Sequence, residues 1–347
     1  MSELAALIAS VRLHAEAALM RRLNAGSGFA DPRLPSQIYL RDDAALARLT
    51  AGTLRPRGTH DKAAVELATA ITAAQAAARG HTRLGLLVPR LALDATASGV
   101  LVVAIAYALD LDTRELCHAL APRRRPALHL ETCVDILQAD ASALLHAIAP
   151  GSPLRRGRAL AIDGDGLAAT LEIPNPTLAW LLGDDALLPP LAGLCELIAP
   201  ETELGVVLPD PAIAALDAVV ARLEHSVAVV IRGPRGSGRR AAAHRIARAV
   251  GRPLFVIPMP ALIALETRAR AALLGNALAA ARLRDAIPYL ADAEALYDER
   301  GEMAPEHADA IAHHPGVIIA ATARSGHLEL RRPALPIALP RTELDDR

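Results

Sequence analysis

Residues 227–250 read VAVVIRGPRGSGRRAAAHRIARAV, an apolar run, a glycine-rich turn and an amphipathic continuation. Gly233 and Gly238 bracket Pro234, Arg235, Gly236 and Ser237, which is a G-x-x-x-x-G frame. The chemistry of that frame is anion binding. Glycines let backbone N–H groups converge on a polyphosphate, and the positive end of the following helix adds to the attraction. The next two positions normally carry a lysine, which reaches the β- and γ-phosphates, and a serine or threonine, whose hydroxyl ligates magnesium. Here they are Arg239 and Arg240. Arginine keeps the charge but is bulkier and directs its hydrogen bonds differently. Lys62 is the sole lysine of the chain, so compositional drift accounts for arginine at 239. It does not account for the lost hydroxyl at 240, and a guanidinium has no lone pair for a cation. The expected ligands are thus ATP or ADP, bound through Gly233, Pro234, Arg235, Gly236, Ser237, Gly238, Arg239 and Arg240, and the outlook for Mg2+ is poor.

A second element bears on hydrolysis. A buried strand ending in aspartate followed by glutamate would support magnesium and polarise the attacking water, and the chain offers IPYLADAEAL. If the strand ends at Ala291, Asp292 takes the first role and Glu294 stands one residue late; if it ends at Leu290, alanine fills the aspartate slot. Either way the acidic pair is broken, and Asp292 and Glu294 also read as helix caps. Thr322, at the end of a later apolar run, stands where a γ-phosphate sensor would be, or simply caps a strand. Arg331 and Arg332 precede the last run, where an arginine reaching a neighbouring subunit would be expected, or they are surface residues. His313 and His314 are adjacent and lack metal-ligand spacing.

The elements that must position these groups alternate: SVAVVIRG, a helix, PLFVIP, a long alanine-rich helix at 263–284, AIPYLA, a helix near 304–313, GVIIAAT and LPIALP. Short, continuously apolar runs separated by helices predict a parallel sheet covered on both faces. This α/β core is expected at 203–347. Before it, 1–110 reads as helical. It comprises an amphipathic helix with Leu4, Leu7, Ile8, Val11 and Leu19 on one face, a Gly/Pro-rich connection, and a short helix capped by Asp42 or Asp43. Two alanine-rich helices follow at 61–79 and 95–109, with Gly80, Gly85 and Pro89 in a loop between them. From 111 to 202 short helices (TRELCHAL, LHLETCVDILQ, DASALLHAI) lead to ALAIDGDGLAATLEI, in which Gly-Asp-Gly predicts a tight hairpin turn. Helices followed by a hairpin are the order of a winged helix. Arg123, Arg124, Arg125, Arg155, Arg156 and Arg158 could touch phosphates, but Glu131 and Asp135 on HLETCVDILQ oppose a nucleic-acid backbone. Protein docking or a purely structural role is favoured over DNA binding.

With 37 basic and 38 acidic residues there is no global field toward nucleic acid or membrane. Cys117, Cys133 and Cys195 are scattered, which suits buried, reduced thiols in the cytoplasm. The apolar stretch ATASGVLVVAIAYAL is shorter than the roughly 20 residues of a membrane span and reads as a core helix.

The five-run order at 204–340 resembles the core of an AAA+ ATPase. Together with QIYLRDDAALARL, ELCHALAPRRRPALHLETCVDIL, SPLRRGRALAI, LAWLLGDD and IRGPRGSGRRAAAHRIA, it makes the chain similar to the front part of the AAA+ ATPases found beside bacterial contractile injection systems, the phage-tail-like particles. That resemblance implies an N-terminal helical and winged-helix region, then a first AAA+ core with degenerate motifs, with a second, intact core beyond. PRTELDDR at the end falls where the helical lid would begin. It also implies ring formation with sister subunits and a role in assembly or recycling of an injection particle. The alternatives are a scaffold that binds no nucleotide and a winged-helix DNA regulator.

Overall fold

A computed structural model of the chain describes residues 2–24, 69, 83–121, 126–223, 227–264, 267–324 and 328–340. The expected Gly/Pro-rich connection, the cap at Asp42 or Asp43, the helix at 61–79, arginines 123–125 and the tail from 341 lie outside the described residues. The chain divides into two compact units, Met1–Gly183 and Asp184–Arg347.

In the first unit, α1 (Ser2–Asn24) buries Val11, Ala15, Ala18 and Leu19, one helical face. The residues expected as a loop with Gly85 and Pro89 instead form α2 (Arg83–Leu91). Leu84, Leu87 and Leu91 recur at three- and four-residue spacing and are buried together, and that packing outweighs the poor helix propensity of the glycine and proline. Helix α3 (Ala95–Leu109) starts at Asp94, whose carboxylate accepts from Ala97 N at 2.7 Å, and it is a core helix with Val100, Leu101, Val103 and Ile105 fully buried. The chain then bends by 116° into α4 (Leu111–Leu120), because Asp110 caps the new helix, accepting from the Thr113 amide at 3.0 Å and its hydroxyl at 2.6 Å. No single helix among the described residues is long and apolar enough to cross a membrane.

A two-residue strand β1 (Leu128–His129) leads into α5 (Leu130–Leu137), α6 (Ala141–Ala147) and the single turn α7 (Pro153–Arg156). Strands β2 (Ala161–Asp163) and β3 (Thr170–Glu172) pair antiparallel, and β1 adds to β3 on the other side. The connection between β2 and β3 is not the expected tight turn. Asp163 faces Thr170, and the intervening residues form a one-turn 3-10 helix at Gly166–Ala168. Gly164 and Gly166 both have positive φ, so the glycines shape a longer loop. Helix α8 (Asn175–Leu181) ends the unit.

The second unit is an α/β layer structure. Its six strands are β4 (Glu196–Ile198), β5 (Ala228–Arg232), β6 (Leu254–Pro258), β7 (Ile287–Ala291), β8 (Ile318–Thr322) and β9 (Ala334–Ala338), in the spatial order β4-β6-β7-β8-β5-β9. The five expected strands are all parallel, and the short edge strand β4 joins β6 antiparallel. Strand residues alternate between two cores. Val230, Phe255, Ile257, Leu290 and Ala320 face α11 (Met259–Ile263), α12 (Thr267–Leu283) and α13 (Pro305–Ala312). Val229, Ile231, Val256, Tyr289 and Ile319 face α9 (Asp210–Val220) and α10 (Arg239–Ala249). The helix expected at 263–284 is α12, and the short helix α11 precedes it.

Candidate functional site

The parallel order puts the C-terminal ends of β5, β8 and β7 side by side. Arg232 pairs in register with Thr322, and Leu290 with Ala320. Ligands of open α/β sheets bind at this edge, where helix N-termini converge. Gly233 leaves β5 and its N–H donates to the carbonyl of Thr322 at 3.1 Å, fixing the start of the loop. Gly236 and Gly238 take φ of 86° and 82°. In Gly238 the left-handed backbone is coupled to close packing: a Cβ there would lie 2.8 Å from Leu208 Cδ2. A Cβ on Gly233 would lie 2.5 Å from the Ser237 hydroxyl, so that side chain closes the loop from within. Ser237 is buried, and its Oγ has no hydrogen-bond partner among the described residues. Arg235 is exposed, and Pro234 accepts the Ser237 N–H on its carbonyl at 3.2 Å.

Arg239 opens α10. Its Nη2 donates to Asp292 Oδ1 at 2.8 Å, and the side chain is only 10 % exposed. The other arm, Nη1, is buried without a partner among the described residues. Strand β7 ends at Ala291, so Asp292 is the first residue after it, and its backbone is left-handed at φ 52° and ψ 52°. Glu294 lies in the following 3-10 turn, where Oε1 accepts from Ala323 N at 3.2 Å and Oε2 is buried without a partner among the described residues. Between them, on β8, Thr322 is fully buried, and its hydroxyl accepts from Arg324 N at 3.0 Å. Tyr289 lies below this group. Burial pushes its phenol up to about 12, with the Arg239 guanidinium pulling the other way.

The structure therefore brings Gly233, Gly238, Arg239, Asp292, Glu294 and Thr322 to one edge, and it directs Arg240 elsewhere. Arg240 is exposed and pairs with Glu196 at 2.5 Å, on the edge strand β4. This donor set does not fit a divalent cation. The aspartate faces a guanidinium, position 240 carries a cation in place of a hydroxyl, and the threonine oxygen is occupied by an amide. Among the described residues no group of three or more His, Cys, Asp or Glu side chains is arranged to hold a metal.

Arg331 is exposed and pairs with Asp309 at 3.5 Å. Arg332 is a structural clamp, donating to the carbonyls of Ile311, His314 and Gly316 at 3.2, 3.1 and 2.7 Å, which satisfies the C-terminal end of α13. His314 is buried, and burial, reinforced by Arg282, Arg332 and Arg252, pushes its imidazole down to about 3. His313 Nδ1 bonds the Asp309 carbonyl at 2.8 Å. Cys117, Cys133 and Cys195 are free and buried, and burial pushes all three thiols up.

Sequence reasoning missed the cover of the loop. Residues 202–208 run along α10 and frame a cavity of about 530 Å³ lined by Leu204, Val207, Ile213, Ala241, His244 and Arg248. The signal was faint, since GVVLP is only a three-residue apolar run between a glycine and a proline.

No protein-family model matches the chain, and no curated protein matches it. Among solved structures it is similar to the FIGL-1 AAA domain in complex with ADP, with 19% identity and a TM-score of 0.34 over 43% of this chain and 59% of that one. It is similar also to the FIGL-1 AAA domain described without a ligand, with 18% identity and a TM-score of 0.32 over 42% and 58%. The chain thus spans less than two thirds of the length of these structures, and the likeness is a distant structural similarity to an AAA domain.

Proposed function

We propose that the second unit binds a nucleoside di- or triphosphate as an AAA+-type module of a larger ATPase, with hydrolysis disabled. The observation that carries this reading is the loop itself. Two glycines with positive φ lie between a buried parallel strand and the N-terminus of α10, next to a cavity with an apolar wall and a basic lip. The amides of Gly236 to Arg239 and the helix N-terminus would receive phosphate, and the cavity would receive the base. The pairing of Arg239 with Asp292 and of Arg240 with Glu196 supports loss of metal-assisted hydrolysis.

The first unit would dock a protein partner through a winged-helix-like arrangement of α4, α5, α6 and the β2–β3 hairpin. Docking to DNA by α5 is disfavoured: Asp135 on that helix is ion-paired with Arg22 of α1, and Arg21 donates to the Asp135 carbonyl at 2.7 Å. A groove-reading helix needs a free face, and this one is covered. Ring assembly with sister subunits and service to a contractile injection particle in the cytoplasm extend the reading along the sequence resemblance described above.

Isothermal titration of the intact chain with ADP and ATP, with magnesium and with chelator, tests the proposal. Binding that persists in chelator, without phosphate release, is the expected result. No binding in either condition would favour the second reading, a scaffold that holds no nucleotide, for which the occupation of Arg239 by Asp292 is the supporting observation.

A further inference from the structure

The same aspartate that would ordinarily face a metal ion faces the loop's own cation. We propose that Asp292 is a built-in counter-anion, seated on Arg239 in competition with phosphate, so that an incoming phosphate must displace or outbid it. The inference rests on the reading of the loop as a phosphate site and adds how that site is regulated.

Three observations carry it. First, the guanidinium of Arg239 is half-occupied: Nη2 is bound to Asp292 at 2.8 Å, while Nη1 is buried with no partner among the described residues, in a side chain only 10 % exposed. A buried cationic donor left unpaired is unfavourable, and an anionic oxygen relieves it. Second, Asp292 is held in place by its backbone. It adopts a left-handed conformation at φ 52°, and its carbonyl accepts from Ala295 N at 3.0 Å, so the turn after β7 places the carboxylate on the arginine. Third, the next guanidinium of the loop is engaged elsewhere: Arg240 pairs with Glu196 at 2.5 Å on β4, which leaves Arg239 as the cation that Asp292 and a phosphate would share.

This arrangement inverts the usual effect of one substitution. Where an aspartate supports a bound cation, changing it to asparagine weakens cation-dependent phosphate binding. Here Asp292→Asn removes the competitor and leaves both arms of Arg239 to the phosphate, and the gain requires Arg239.

The test is calorimetric titration of the intact chain with inorganic pyrophosphate and with ADP in chelator, for the native protein, Asp292→Asn, Arg239→Ala and the double variant, with thermal melts to confirm folding. Asp292→Asn should lower Kd by about tenfold, and the gain should vanish when Arg239 is alanine. Native protein that binds while Asp292→Asn binds equally or more weakly overturns the counter-anion and leaves the phosphate site standing. Absence of binding in every variant overturns both. If Asp292→Asn does not fold, Asp292→Ala takes its place; failure of both to fold makes Asp292 a structural counter-ion and ends the proposal.

Discussion

At the scale of single residues, Gly238 and Arg332 do what no neighbour in sequence announces. Gly238→Ala must place a Cβ on a left-handed backbone 2.8 Å from Leu208 Cδ2. The cost should be about 1–2 kcal/mol of unfolding free energy in urea, together with loss of phosphate binding. Arg332 was legible as a charged residue before the last strand, but its role was not, because three carbonyls from around the end of α13 converge on it only in three dimensions. Arg332→Ala should lower stability by about 2 kcal/mol, measured by the urea midpoint, since it strands partly buried acceptors. The same reasoning separates the two loop arginines. Adjacent in sequence and alike in type, they diverge because one begins the helix facing β7 and the other faces the edge strand.

At the scale of elements, the caps and the buried histidine are the points of leverage. Asp110 ends α3 and starts α4, and Asp110→Ala should cost about 1 kcal/mol, read as a lower thermal midpoint, through loss of the N-cap. His314, after α13, has a folded pKa depressed from 6.5 to about 3, so the folded state keeps it neutral. The stability it secures is present in full above about pH 6.5 and is lost as pH falls toward 3, because the unfolded chain takes up the proton first. Urea midpoints should therefore fall over that acid range, and the slope should flatten in His314→Asn. The parallel strands were legible because residues buried on both faces must be apolar throughout. Helix α2 was not, because Gly85 and Pro89 signal a loop locally and only the burial of Leu84, Leu87 and Leu91 overrides them.

At the scale of the whole molecule, Trp180 is the sole tryptophan, and it lies in the first unit beneath the guanidiniums of Arg83 and Arg90, 5.3 and 5.8 Å from the ring centre. Its fluorescence reports on the folding of that unit, and saturating ADP should raise the circular-dichroism midpoint by stabilising the folded second unit. The sequence by itself determined the glycine loop, the strand alternation and the absence of a hydroxyl at 240, because these depend on residue type and local spacing. Only the tertiary structure decided which anion sits on Arg239, since Asp292 is 53 positions away and reaches it through the order of the strands. Partner choice for a charged group depends on distance in space, and nothing in the spacing of residues along a chain encodes that distance.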